Sequence, residues 1–91
     1  MPFTLIYPDS YIKRARTFLR KRPEIHNQYR KTLQLLELDP YHPALRLHSL
    51  EGRLKSLSSV PINMSYRIVL ELEIRGEEII LINIGSHDQV Y

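Results

Sequence analysis

The feature that most limits the fold is the run from Tyr66 to Arg75, in which Tyr66, Ile68, Leu70, Leu72 and Ile74 alternate with Arg67, Val69, Glu71, Glu73 and Arg75. A period of two places every second side chain on one face of an extended chain, so the spacing predicts a strand with one buried and one largely wetted face. Arg75-Gly76-Glu77 is a turn signal, and Ile79 to Ile84 follows as an apolar strand. Residues 66–84 are therefore expected to form a long antiparallel hairpin at the centre of a sheet. Folding about Gly76 sets position 67 roughly opposite position 85.

The first half of the chain supplies the cover. Phe3 to Tyr7 reads as a short strand, ended by Pro8-Asp9-Ser10, where Asp9 or Ser10 can cap a helix. Tyr11, Ile12, Ala15, Phe18 and Leu19 then recur at helical spacing, with Lys13, Arg14, Arg16, Arg20, Lys21 and Arg22 on the remaining surface and at the end. Pro23 breaks that helix and suits the opening of the next, which carries Ile25, Tyr29, Leu33 and Leu36 and ends at Asp39-Pro40. The two are expected to pack as a helical hairpin. Tyr41-His42-Pro43 is a turn, Leu45 to Leu50 a short strand before Glu51-Gly52, and Leu57 to Asn63 a further strand with Pro61 marking an edge or an irregularity. This order predicts an α+β fold over residues 1–91 as a single domain, an N-terminal strand and two-helix hairpin packed on one face of a twisted antiparallel sheet.

Ninety-one residues suffice for one core, so an active site must lie on the surface of that core or in a shallow cleft. The chain has no cysteine, which excludes disulfides, thiolate nucleophiles and sulfur-ligated zinc and fits a reducing cytoplasm. Its beginning lacks the basic and long apolar regions of a signal peptide, and no stretch approaches a membrane span, so a cytoplasmic protein with no membrane partner is expected. A formal charge of +3 points to a polyanion or an acidic protein as partner.

The residues able to do chemistry gather late in the chain. Arg67 lies on the wetted face of the long strand, and the last strand runs into Gly85-Ser86-His87-Asp88. A guanidinium supplies a permanent charge and a donor fork for phosphate, while an imidazole titrates near neutrality. Cleavage of RNA by its own 2′-hydroxyl needs a base for that hydroxyl, an acid for the 5′-oxygen and a cation for the charge that develops on phosphorus; no metal is required. On the residues alone other readings stay open: Arg67 pairing with Glu71, Glu73 or an acidic partner, His87 bonded to Asp88, Tyr91 covering the end of the sheet, and His48, His42 and His26 as strand, turn and helix-surface residues.

Three segments carry a more specific signal. Leu50-Glu51-Gly52-Arg53-Leu54-Lys55, Asn63-Met64-Ser65-Tyr66-Arg67-Ile68-Val69 and Ile84-Gly85-Ser86-His87-Asp88-Gln89-Val90-Tyr91 together resemble the RelE/ParE toxin superfamily, most closely its YafQ-like branch. The resemblance implies the toxin of a type II toxin–antitoxin pair, an endoribonuclease that cuts mRNA on the ribosome and leaves a 2′,3′-cyclic phosphate and a 5′-hydroxyl, with no cofactor. It implies His87 as the leading acid or base, His48 as a second, Arg67 as support for the scissile phosphate and Tyr91 as an aromatic that stacks on or orients a base. Lys55 and Arg53 are implied as phosphate contacts. Asn83 and Asp88 complete the candidate site, Asp88 as a partner that orients His87. Pro61 and Ser65 stand where YafQ-like toxins have a histidine and an aspartate, and Asn83 where they have an arginine, a charge that Arg67 is expected to replace from the neighbouring strand in RelE fashion.

The resemblance also implies an antitoxin encoded by a neighbouring gene, the ribosome and mRNA as partners, and operator DNA only through the antitoxin complex. The basic segment from Lys13 to Lys31 suits either ribosomal RNA phosphates or an acidic antitoxin segment. Two alternatives belong to other classes: a ParE-like toxin that inhibits DNA gyrase, and an inactive member that only binds its antitoxin. Gly85-Ser86-His87-Asp88 favours the nuclease, because ParE-like chains generally lack a C-terminal catalytic histidine.

Overall fold

The computed structural model describes residues 2–54 and 56–90. The chain runs through β1 (Thr4–Ile6), α1 (Asp9–Arg20), α2 (His26–Leu38), β2 (His48–Ser49), β3 (Ser58–Pro61), β4 (Tyr66–Glu73), β5 (Glu78–Ser86) and α3 (His87–Val90). Short 3-10 turns occupy Pro23–Ile25, Pro43–Leu45 and Gly52–Leu54. One five-stranded sheet has the order β1-β5-β4-β3-β2, antiparallel except at its edge, where β1 runs parallel to β5.

In α1, Tyr11, Ala15 and Phe18 are buried at spacings of four and three, so one stripe of the helix faces the sheet. The expected cap is different: the helix begins at Asp9 itself, Pro8 holds the N-cap position and no side chain caps it. Asp9 instead sits in the first turn, where its charge complements the helix dipole. Arg22 is extended ahead of Pro23 (φ −137°, ψ 63°), as the proline ring requires, and the chain re-enters α2 through one 3-10 turn. Two bonds tie the helices together: His26 Nε2–H donates to the Leu19 carbonyl at 2.7 Å, and the Tyr11 and Tyr29 hydroxyls meet at 2.7 Å.

The core lies between these helices and the sheet. Tyr11, Ala15, Phe18 and Leu36 pack with Val60, Ile68, Leu70, Ile79, Leu81 and Ile84. The even positions of β4 thus face the helices, as the alternation requires, and the odd positions take the far face. The strand expected over Leu45 to Leu50 shrinks to His48–Ser49, because Pro43–Leu45 forms a 3-10 turn that ends with Arg46 in the left-handed region (φ 51°). His42 caps that turn, its Nδ1 accepting from the Ala44 N–H at 3.0 Å.

The β4–β5 hairpin contains the irregularity that sets the site. Near the turn Glu73 pairs with Glu78 and Leu70 with Leu81, but beyond the bulge Val69 pairs with Asn83, Ile68 with Ile84 and Arg67 with Gly85. Ile82 is the extra residue. A bulge shifts all later pairing by one position, so without it Arg67 would stand opposite Ile84.

Burial raises the pKa of both hydroxyls in the Tyr11–Tyr29 pair, and the adjacent Tyr29 raises that of Tyr11 further. A tyrosine whose folded pKa lies above its unfolded value of 10.0 adds stability that is present at neutral pH and is lost as pH climbs past that value. The thermal midpoint of the wild type is therefore expected to fall more steeply above about pH 10 than that of Tyr11→Phe, which loses about 1 kcal/mol of hydrogen bonding at neutral pH. Melting curves across alkaline pH check this; parallel slopes for the two proteins would contradict it.

Candidate active site

Register places the candidate residues. Arg67 in β4 pairs with Pro61 on one side and Gly85 on the other, and Tyr66 pairs with Ser86, the residue before His87. His48 pairs with Ser59, Ser59 with Val69, and Val69 with Asn83, which is one continuous row across the sheet. Arg67 lies two residues along β4 from Val69, so Arg67 and His48 share the sheet face turned away from the helices. At about 4.8 Å per strand, the backbone of His48 stands about 14 Å from that of β5, with the β4 strand of Arg67 between them. The structure thus brings His48, Arg67 and the root of His87 to one end of one face.

His87 opens α3, which packs against β5 and β4. Gly85 makes this return possible: a Cβ there would meet Gln89 Oε1 at 2.8 Å and Gln89 Cβ at 3.1 Å. The same Gln89 Oε1 accepts from the Ser86 N–H at 2.9 Å, fixing the turn from strand to helix. The His87 side chain is two-thirds exposed (66%). Asp88 Oδ1 lies 3.6 Å from His87 Nδ1, within ion-pair reach but too long for the orienting hydrogen bond expected of it.

The other histidines are occupied structurally. His26 donates to Leu19 and His42 caps a turn, while His48 lies on the face of Arg67 and His87 opens α3 at the end of β5. Arg67 forms no ion pair with Glu71 or Glu73 among the described residues, so its charge is not spent on its own strand. It lines a depression with Arg46, Asn63 and Met64. Arg46 is a functional candidate that the sequence did not reveal: nothing in Pro43-Ala44-Leu45-Arg46 signals that this arginine adopts a left-handed conformation and reaches the same depression.

Asn83 has a partner that no local sequence pattern announces. Its Oδ1 accepts from Arg14 Nη1 at 2.7 Å and from the Ile84 N–H at 2.8 Å, so α1 delivers a guanidinium to this point of β5. Arg53 is exposed in the Gly52–Leu54 turn, while Lys55 and Tyr91 lie outside the described residues. Among the described residues no three His, Cys, Asp or Glu side chains are grouped to hold a metal, and no helix is long and apolar enough to cross a membrane.

This fold is found in solved toxins. The chain is similar to YafQ from E. coli strain BL21(DE3) (14% identity, TM-score 0.80, covering 98% of each chain) and to the YoeB/ParE toxin from Agrobacterium tumefaciens (15%, 0.75, covering 93% of this chain and 99% of that one). It is similar as well to a chain of the E. coli DinJ-YafQ toxin-antitoxin complex (18%, 0.79, covering 100% and 99%). No family model matches the sequence, and no curated protein does. The α+β fold implied by the resemblance to the RelE/ParE superfamily is the fold of the described residues.

Proposed function

We propose that the chain is the toxin of a type II toxin–antitoxin pair and an endoribonuclease that cuts mRNA on the ribosome. The observation that carries this reading is the placement of Arg67 opposite Gly85, two residues before His87, with His48 on the same face. Of the two imidazoles, one takes the proton of the 2′-hydroxyl as its oxygen attacks phosphorus, and the other delivers a proton to the 5′-oxygen as the P–O5′ bond breaks. Arg67 lies between them in the sheet and stabilises the added negative charge on the phosphoryl oxygens. The products are a 2′,3′-cyclic phosphate and a 5′-hydroxyl, and atoms and charge balance without a cofactor.

The surroundings fit that role. Arg46 adds a second guanidinium beside Arg67, Arg53, Lys55 and Asn83 are assigned to phosphate and sugar contacts, and Tyr91 to stacking on a base. Asp88 stands beside the ring at 3.6 Å without steering it. An acidic antitoxin encoded beside the gene is the proposed protein partner, supported by the match to a toxin from a toxin-antitoxin complex. The test is chemical: purified protein with translating ribosomes and message is expected to cut equally well in excess EDTA, leaving cyclic phosphate at the new 3′-ends. Cleavage that stops on chelation, or ends bearing 5′-phosphate, would contradict the mechanism.

A further inference from the structure

The groove between α1 and β5 belongs to none of the residues assigned to the chemistry, apart from Asn83. It is open, about 760 Å³ in volume, and is lined by Lys13, Arg14, Lys21 and Arg22 of the α1 region together with Asn83 of β5 and Gln89 of α3. No acidic residue lines it. Four of the chain's thirteen Lys and Arg residues line it, with no carboxylate among the lining to offset them.

Two of the cations are held in place. Arg22 lies over the Phe18 ring, its Cζ 4.1 Å from the centroid, and 5.2 Å from the Tyr66 ring, while Nη1 donates to the Phe18 carbonyl at 3.1 Å. Arg14 is fixed through Asn83. Each guanidinium has five N–H donors, and these bonds use one apiece, leaving donors for an anion at little further ordering cost. Lys13-Arg14 and Lys21-Arg22 are separated by eight residues of α1 and its end, about 12 Å along the axis, which calls for an extended polyanion rather than a single phosphate.

The groove ends close in the chain to the proposed catalytic segment. Asn83 and Ile84 lead directly into Gly85, and Gln89 stands two residues after His87. Its apolar floor is covered: Phe18 and Ile84 are only 7% and 3% exposed. A protein segment that folds onto a surface needs apolar area to bury, and bases need exposed rings to stack on. No exposed ring lines this groove, and the charge it offers suits a phosphate backbone rather than bases.

We infer that the α1–β5 groove is a second RNA subsite that takes the phosphate backbone of the message strand flanking the cut, without regard to its bases. The inference rests on the RNA-cleaving reading of the His87 edge. It is tested by fluorescence anisotropy with uncleavable 2′-O-methyl RNA of roughly 4 and roughly 12 nucleotides, across about 0.05 to 0.2 M salt. Wild type is expected to bind the longer strand more tightly. The variant Lys13→Ala/Arg14→Ala/Lys21→Ala is expected to lose that length advantage, keep its hold on the short strand, and show a log–log salt slope shallower by about 2. All three residues are exposed, and circular dichroism verifies folding. A variant that keeps both the length advantage and the slope overturns the groove while leaving the nuclease reading intact. Failure of the wild type to bind either strand overturns the groove, and the nuclease reading is then decided separately by cleavage on translating ribosomes. Loss of binding to poly-glutamate but not to RNA reassigns the groove to an acidic protein segment and overturns the proposal.

Discussion

Replacing His87 by alanine is expected to slow RNA cleavage by roughly 100- to 10,000-fold, the range that a positioned acid or base contributes. Its side chain is two-thirds exposed at the start of a single helical turn, so the loss should leave the thermal midpoint almost unchanged. That separation of activity from stability is what marks a catalytic group. Asp88→Ala provides the internal control: the Asp88 side chain is fully exposed and stands 3.6 Å from the ring, so its removal should cost far less rate than removal of the imidazole. Single-turnover cleavage with both variants, alongside melting curves, measures the difference; equal losses from the two would shift the chemistry away from His87.

Leu70→Ala is the complementary case, with a large expected effect on stability. Leu70 is fully buried on the central strand, between Ser58 of β3 and Leu81 of β5, and it faces the helices. Truncation removes the transfer energy of the side chain and leaves a cavity in a small core, which together cost about 2 to 5 kcal/mol. Against a total of about 5 to 15 kcal/mol for a domain, the variant should melt roughly 10 to 30 °C lower. The neighbouring exposed position Glu73, on the same strand, sets the baseline, since a change there should stay within about 0.5 kcal/mol. Denaturant or thermal unfolding of Leu70→Ala with an unchanged midpoint would contradict the core described above.

How far the sequence could be read depended on the range of the interactions. The alternation from Tyr66 to Ile74 is local and periodic, and the hairpin, its buried face and the pairing of position 67 with position 85 followed from it. That pairing holds only because the bulge at Ile82 adds one residue, a feature that an apolar run such as Ile79 to Ile84 does not reveal. The parallel edge strand β1 was equally hidden, since which sheet edge a three-residue strand joins depends on where the two helices return the chain. At the site, His87 and Arg67 stood out because histidine and arginine have few structural uses on a wetted surface. Arg46 and the Arg14–Asn83 bond did not, because a left-handed arginine and a contact across 69 residues leave no local trace. The helical turn α3 left no sign in the sequence, since its fold depends on the close approach of Gln89 to Gly85.

His87 is proposed as the centre of a nuclease that acts in a translating cell. The most direct measurement is to induce the untagged protein in a bacterial host and map the 5′-ends of mRNA, comparing wild type with His87→Ala. Growth arrest with new cuts inside translated codons, both abolished by the substitution, is the expected result. Arrest without new cuts would contradict the account and point to a target such as gyrase, and no arrest at all would mark a chain that only binds its antitoxin.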